Sequence, residues 1–161
     1  MATRICALLV SLVALAGPAL GESWQRYTDE EIGFSISLPA DRFAVTTESL
    51  GRVSFEEIDG AAQLDVFGVR NPEALSLAEF RALMEAADPD RRITYRAAGR
   101  SWFVLSGYLE GTGEPAIFYA KFMLNPAGTA LSAFEISYPR AEKAAYDDMV
   151  ERLEDSLTRP R

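Results

Sequence analysis

Carboxylates and one strand lysine are the side chains in this sequence best placed to do chemistry. Histidine is absent and the single cysteine is Cys6, close to the start of the chain. That removes the imidazole base, histidine metal ligands and any Ser-His-Asp triad. A metal held by the body of the chain would need oxygen ligands, which selects Ca²⁺, Mg²⁺ or Mn²⁺. Acidic clusters stand at Asp29-Glu30-Glu31, at Glu56-Glu57 with Asp59, and at Asp88-Pro89-Asp90. None repeats the alternating ligand spacing of an EF-hand, which gathers its oxygens within about twelve residues. Arg91-Arg92 directly follows the last cluster and neutralises it. Solvated turns and a helix stop account for all three, so no metal ligand and no catalytic residue is assigned. Gly111-Thr112-Gly113 lacks the Gly-Lys-Ser/Thr ending of a phosphate loop and reads as a hairpin connection. Ser106-Gly107 lacks the Gly-x-Ser-x-Gly frame, so there is no nucleophile elbow.

Two surfaces remain as candidates. Lys121 lies inside an alternating apolar run, and alternation places Tyr119, Lys121 and Met123 on one side with Phe118, Ala120 and Phe122 on the other. Depending on register, Tyr95, Trp102 or Tyr108 could join that side. A lysine among aromatic rings can hold an anionic or planar ligand, so Lys121, Tyr119, Trp102 and Tyr95 form the candidate ligand face. The plainer alternative is an open sheet face on which Lys121 pairs with Asp65 or Glu135 while its stem covers the rings. The second surface is the final helix. Asp147, Glu151 and Glu154 share one side of it, and Glu151 and Asp155 form another like-charge pair. Only Asp148 and Arg152 have the favourable order. Such like pairs cost a few tenths of a kcal/mol each, and acids in a helix's last turns oppose its dipole. Asp147, Glu151 and Glu154 are therefore the candidate docking stripe for a basic protein partner, against the plain reading of tolerated surface repulsion.

The elements that must carry these residues are legible from periodicity. Strands are expected at Trp24–Tyr27, Phe34–Leu38, Arg52–Ile58, Gln63–Arg70, Ile93–Ala97, Trp102–Glu110, Ala116–Leu124 and Ala130–Tyr138, with a hairpin turn at Asp59-Gly60. Ser76 and Glu79 have capping-box spacing ahead of the stripe Leu77, Phe80 and Met84, and Asp88-Pro89 stops that helix. A second helix is expected over Ala141–Leu157, where Tyr146, Met149, Val150, Leu153 and Leu157 recur at spacings of three and four. These elements predict an α+β fold, an antiparallel sheet of about six to eight strands with two packed helices.

The 161 residues carry 16 basic against 24 acidic side chains, a formal −8. That balance disfavours nucleic acid and anionic lipid as partners. Residues 1–21 read as a secretory signal peptide: Arg4, then the apolar run Ile5–Ala16, then the break at Gly17-Pro18. Cleavage is expected after Gly21, with Ala16 as the competing site. The run is short against the ~20 residues that span a bilayer, so no stable membrane anchoring is expected after cleavage. Residues 22–161 then form a single α+β domain without cysteine, periplasmic or secreted. A domain of that size buries roughly two thirds of its unfolded-state surface and needs no disulfide to stand alone.

The stretch Tyr27-Thr28-Asp29, leading into Gly33-Phe34-Ser35-Ile36-Ser37-Leu38-Pro39, resembles the opening of proteins with the PsbP/Mog1-like fold, where such a strand ends at a proline. Ile93-Thr94-Tyr95, Trp102 to Gly107, Phe118 to Lys121 and Phe134 to Pro139 look like a group of small exported bacterial proteins without assigned activity. The resemblance implies a sandwich around a central antiparallel sheet and a module that works through protein contacts. No binding residue of either namesake matches here, so neither the photosystem role of one nor the GTPase binding of the other carries over. The resulting expectation is an exported, non-catalytic accessory or interaction domain with a protein partner and no cofactor. The alternatives are a small-ligand or divalent-cation (Ca²⁺) binding protein and, behind it, a carboxylate-based hydrolase.

Overall fold

The second half of the chain carries the longer apolar runs, and it builds four strands of a seven-stranded antiparallel sheet. A computed structural model describes residues 23–161 apart from Leu50 and Thr112, so the expected signal peptide lies outside the described residues. The strands are β1 (Trp24–Asp29), β2 (Phe34–Pro39), β3 (Phe43–Ser49), β4 (Arg52–Glu57), β5 (Gln63–Arg70), β6 (Arg91–Ala98), β7 (Trp102–Leu109), β8 (Ala116–Leu124) and β9 (Ala130–Pro139). The helices are α1 (Leu77–Ala86) and α2 (Lys143–Ser156), the latter entered through a 3₁₀ turn at Arg140–Glu142. The main sheet runs in the order β3-β4-β5-β9-β8-β7-β6, and β1 with β2 forms a separate two-stranded sheet. After β5 the chain crosses through α1 to the far edge, and β6 to β9 return as a meander until β9 pairs with β5.

Each face of the main sheet carries its own core. One face packs against α2 and the β1–β2 hairpin, with Phe34, Ile36, Leu64, Phe134, Tyr146 and Leu153 at its centre. The opposite face packs against α1 through Phe80, Phe103, Leu105, Phe118, Phe122 and Leu131, where the Phe103 and Phe122 rings stack at 4.5 Å. Sandwiched between these layers, β9 is buried along most of its length, which suits its near-continuous apolar sequence. The hairpin lies so close to β5 that a Cβ at Gly68 would stand 2.8 Å from Ile32 Cγ1 and 2.9 Å from Phe34 Cε1. Only glycine admits that approach.

Local chemistry behaves as the sequence predicts at α1. The Glu79 amide donates to Ser76 Oγ and the Ser76 amide donates to Glu79 Oε2, which closes the capping box. The Glu57 amide donates to the Ala62 carbonyl across the Asp59-Gly60 turn. The one strand without a sequence signal is β3. It lies at the sheet edge, buries only Phe43 and is interrupted by a register shift between Val45 and Thr47, so its residues do not alternate.

Candidate functional site

Strand register places all four residues of the expected ligand face on one side of the sheet. Tyr95 opposes Ser106, Ser106 opposes Tyr119, Val104 opposes Lys121 and Trp102 opposes Met123, and directly paired residues share a face. That side is covered by α2. Lys121 Nζ donates to the Glu154 carbonyl at 3.0 Å and lies 3.3 Å from Glu154 Oε1, with its side chain only 12% exposed. The helix's last carbonyls lack intrahelical partners and carry the negative end of its dipole, so a cation is favoured there. Tyr119 Oη donates to Glu154 Oε2, and Lys121 Nζ lies 5.7 Å from the Trp102 ring centre. Burial, then the hydrogen bond to Glu154, pushes the Tyr119 phenol far above its ordinary pKa. Tyr95 stands apart on the edge strand, 54% exposed. Lys121 and Tyr119 therefore form the seat of α2.

The expected ion-pair partners of Lys121 are corrected by the same register. Glu135 opposes Ala120, and Asp65 opposes Glu135, so both carboxylates project from the opposite face. There Glu135 accepts two hydrogen bonds from Arg91, at 2.9 and 2.5 Å, while Asp65 accepts one from Ser54 Oγ and lies 3.7 Å from Arg52.

The docking stripe divides. Asp147 is exposed and paired with Lys143 at 2.6 Å, Glu151 is exposed, and Glu154 turns inward onto Tyr119 and Lys121. Arg152 sets its guanidinium 4.2 Å from the Trp24 ring centre. The acidic clusters also have local work. Asp29 Oδ1 accepts from the Ile32 amide and shapes the β1–β2 turn. Glu57, with a side chain 6% exposed, accepts from Arg42 Nε at 2.5 Å, Tyr146 Oη at 2.6 Å and the Ala62 amide at 3.1 Å. Burial alone would raise the Glu57 pKa, but the hydrogen bonds from Tyr146, Arg42 and Ala62 and the Arg42 charge hold it below the usual carboxylate range. Burial, then the bond to Glu57, pushes Tyr146 up to about 12.

Among the concavities that adjoin β1, two stand out by their linings, and the sequence alone indicates neither. On one side, an apolar groove of about 430 Å³ runs between β1 and β3 over Tyr27, Leu38, Phe43, Val45, Val53 and Phe55. Val45 is 57% exposed there. On the other side, a polar cleft of about 530 Å³ opens between the hairpin and residues 158–161, with Arg26, Arg159 and Arg161 in its lining. The residues after α2 are fastened along β2: the Ser35 amide donates to Thr158 Oγ1 at 2.8 Å, and the Thr158 amide donates to the Ser35 carbonyl at 2.9 Å. Arg26 lines both concavities. An excess of arginine after α2 was a signal available in the sequence, but its meeting with β1 was not.

Neither a protein-family model nor a curated protein sequence matches the chain. Solved structures do. The solution structure of cyanobacterial PsbP from Synechocystis matches with a TM-score of 0.59 at 15% identity, over 91% of this chain and 98% of that one. The Ran-binding protein Mog1p of Saccharomyces cerevisiae matches with a TM-score of 0.59 at 7% identity, over 85% of this chain and 95% of that one. A Bacteroides thetaiotaomicron protein matches with a TM-score of 0.54 at 11% identity, over 84% of this chain and 48% of that one. The chain has the PsbP/Mog1-like α+β fold. Among the described residues, no helix is long and apolar enough to cross a membrane.

Proposed function

We propose that this protein is an exported, non-catalytic interaction domain, residues 22–161 after a signal over 1–21, acting in the periplasm or outside the cell. The groove between β1 and β3 seats an extended segment of its protein partner. The observation that carries this reading is the groove itself: an apolar trough with Val45 57% exposed, bordered by two strands that each leave one edge outside the sheet ladders. Unpaired strand edges present backbone donors and acceptors that an added strand satisfies, and alternate side chains of that strand fill an apolar trough. The similarity to a protein described as Ran-binding supports a role through protein contacts for this fold. Glu57, held ionised by Arg42 and Tyr146, is unsuited to donate a proton as a general acid, which speaks against the hydrolase alternative at that position.

The test is capture of partners from the native exported fraction with the mature domain as bait. Val45→Asp, an exposed position, is compared with the wild type and with Asp147→Lys/Glu151→Lys. The expected result is a partner retained by the wild type and the helix variant and lost with Val45→Asp. Retention by Val45→Asp with loss in the helix variant would move the interface to α2 and overturn the groove assignment.

A further inference from the structure

The arginines of this acidic chain are mostly matched. Arg42 pairs with Glu57, Arg52 with Asp65, Arg70 with Glu31, Arg91 with Asp88 and Glu135, and Arg92 with Glu110. Arg81 and Arg96 both reach Glu85. Among the described residues, Arg26, Arg100, Arg140, Arg152, Arg159 and Arg161 have no carboxylate within ion-pair distance. Arg140 and Arg152 cover the Tyr108 and Trp24 rings instead. Of the remaining four, Arg26, Arg159 and Arg161 line the single cleft between the β1–β2 hairpin and residues 158–161. Three guanidinium groups with no ion-pair partner share one cleft in a chain of formal charge −8, with Glu30 and Glu31 also in its lining, and an anion among them would be attracted by all three.

Hydroxyls and arginines together outnumber acids in the lining. Glu31 is already engaged by Arg70 at 3.6 Å, which leaves Glu30 as the uncompensated acid of the cleft. Hydroxyls of Thr28, Ser35 and Thr158 lie in the same wall, and Arg26 Nη1 donates to Ser35 Oγ at 3.2 Å, which orients that guanidinium. At Gly33, with φ +79°, an added Cβ would come 3.2 Å from Arg161 Cβ, so the bare glycine leaves room for the Arg161 stem to lie across the turn. The volume of about 530 Å³ exceeds what one phosphate fills and falls within the range of small-molecule sites. Each guanidinium offers a planar fork of donors that fits a carboxylate or phosphate edge.

We propose that this cleft binds a small oxyanion carrying at least two phosphate or carboxylate groups, gripped by Arg26, Arg159 and Arg161. The proposal goes beyond the groove on the other side of β1 and does not depend on it. The experiment is titration calorimetry of the mature domain with pyrophosphate and with citrate, at fixed ionic strength in a chloride buffer. The variants are Arg159→Ala/Arg161→Ala, whose side chains are exposed, and Arg100→Ala as an unpaired arginine outside the cleft. The expected result is saturable one-to-one binding of at least one anion, weakened about tenfold or more in the double variant and unchanged in Arg100→Ala. Binding of pyrophosphate alone assigns the site to phosphates, and binding of citrate alone to carboxylates. Absence of saturable binding by both anions, or equal weakening in Arg100→Ala, would overturn the proposal.

Discussion

Glu154 joins the two surfaces that residue spacing alone would keep apart. Its carboxylate takes Tyr119 Oη and Lys121 Nζ, and its carbonyl takes Lys121 again, so one residue fastens the last turn of α2 to the middle of β8. Replacing Lys121 by Met keeps its apolar stem and leaves the Glu154 carboxylate with Tyr119 alone. The expected loss is about 1–3 kcal/mol, read as a lower urea midpoint with an unchanged slope. In a double-mutant cycle with Glu154→Gln the two losses should fall short of additivity; strict additivity would mean the two residues act separately. Glu57 predicts a pH effect. Its folded pKa lies below its ordinary 4.5, so near and below that pH the unfolded chain binds a proton that the folded chain does not. Its contribution is therefore present above that pH and lost as the pH falls through the lower folded value. Glu57→Gln should flatten the acid limb of urea midpoints taken on either side of pH 4.5. Tyr146, raised to about 12, adds stability below its ordinary pKa of 10 that is lost as the pH climbs toward 12.

At the scale of elements, the close seat of the hairpin on β5 depends on Gly68. Gly68→Ala must push back Ile32 and Phe34, and overpacking of this kind costs about 1–3 kcal/mol. Measured by denaturant unfolding, an unchanged stability would mean that the hairpin is free to lift. Such contacts also mark how far the sequence can be read. Alternation in β2, the long apolar runs of β7, β8 and β9, the Ser76–Glu79 cap and the three-and-four spacing in α2 are local signals, and the structure contains the elements they predict. Edge strand β3 gave no such signal because six of its seven residues are exposed and free of the period that burial imposes. The face of Lys121 followed from alternation, but its partner did not. Asp65 and Glu135 are both strand carboxylates, and the β8–β9 and β5–β9 registers turn them to the opposite face. The arginine cleft was illegible for the same reason: Arg26 and Arg159 meet only because residues after α2 run beside β2.

For the whole molecule, similarity at 15% and 7% identity fixes the architecture and no more. The proposed surfaces lie on either side of β1, an apolar groove and a polar, arginine-lined cleft that share Arg26. A fold with both sheet faces covered by helices and a hairpin has its exposed strand edges left for recognition, and the groove is where apolar area accompanies them. The most direct measurement places a photo-crosslinking side chain at position 45, and separately at position 151, of the full chain expressed in its native cells. A groove that seats the partner gives one discrete crosslinked species from position 45 and none from position 151. A partner captured from position 151, with position 45 silent, would contradict it.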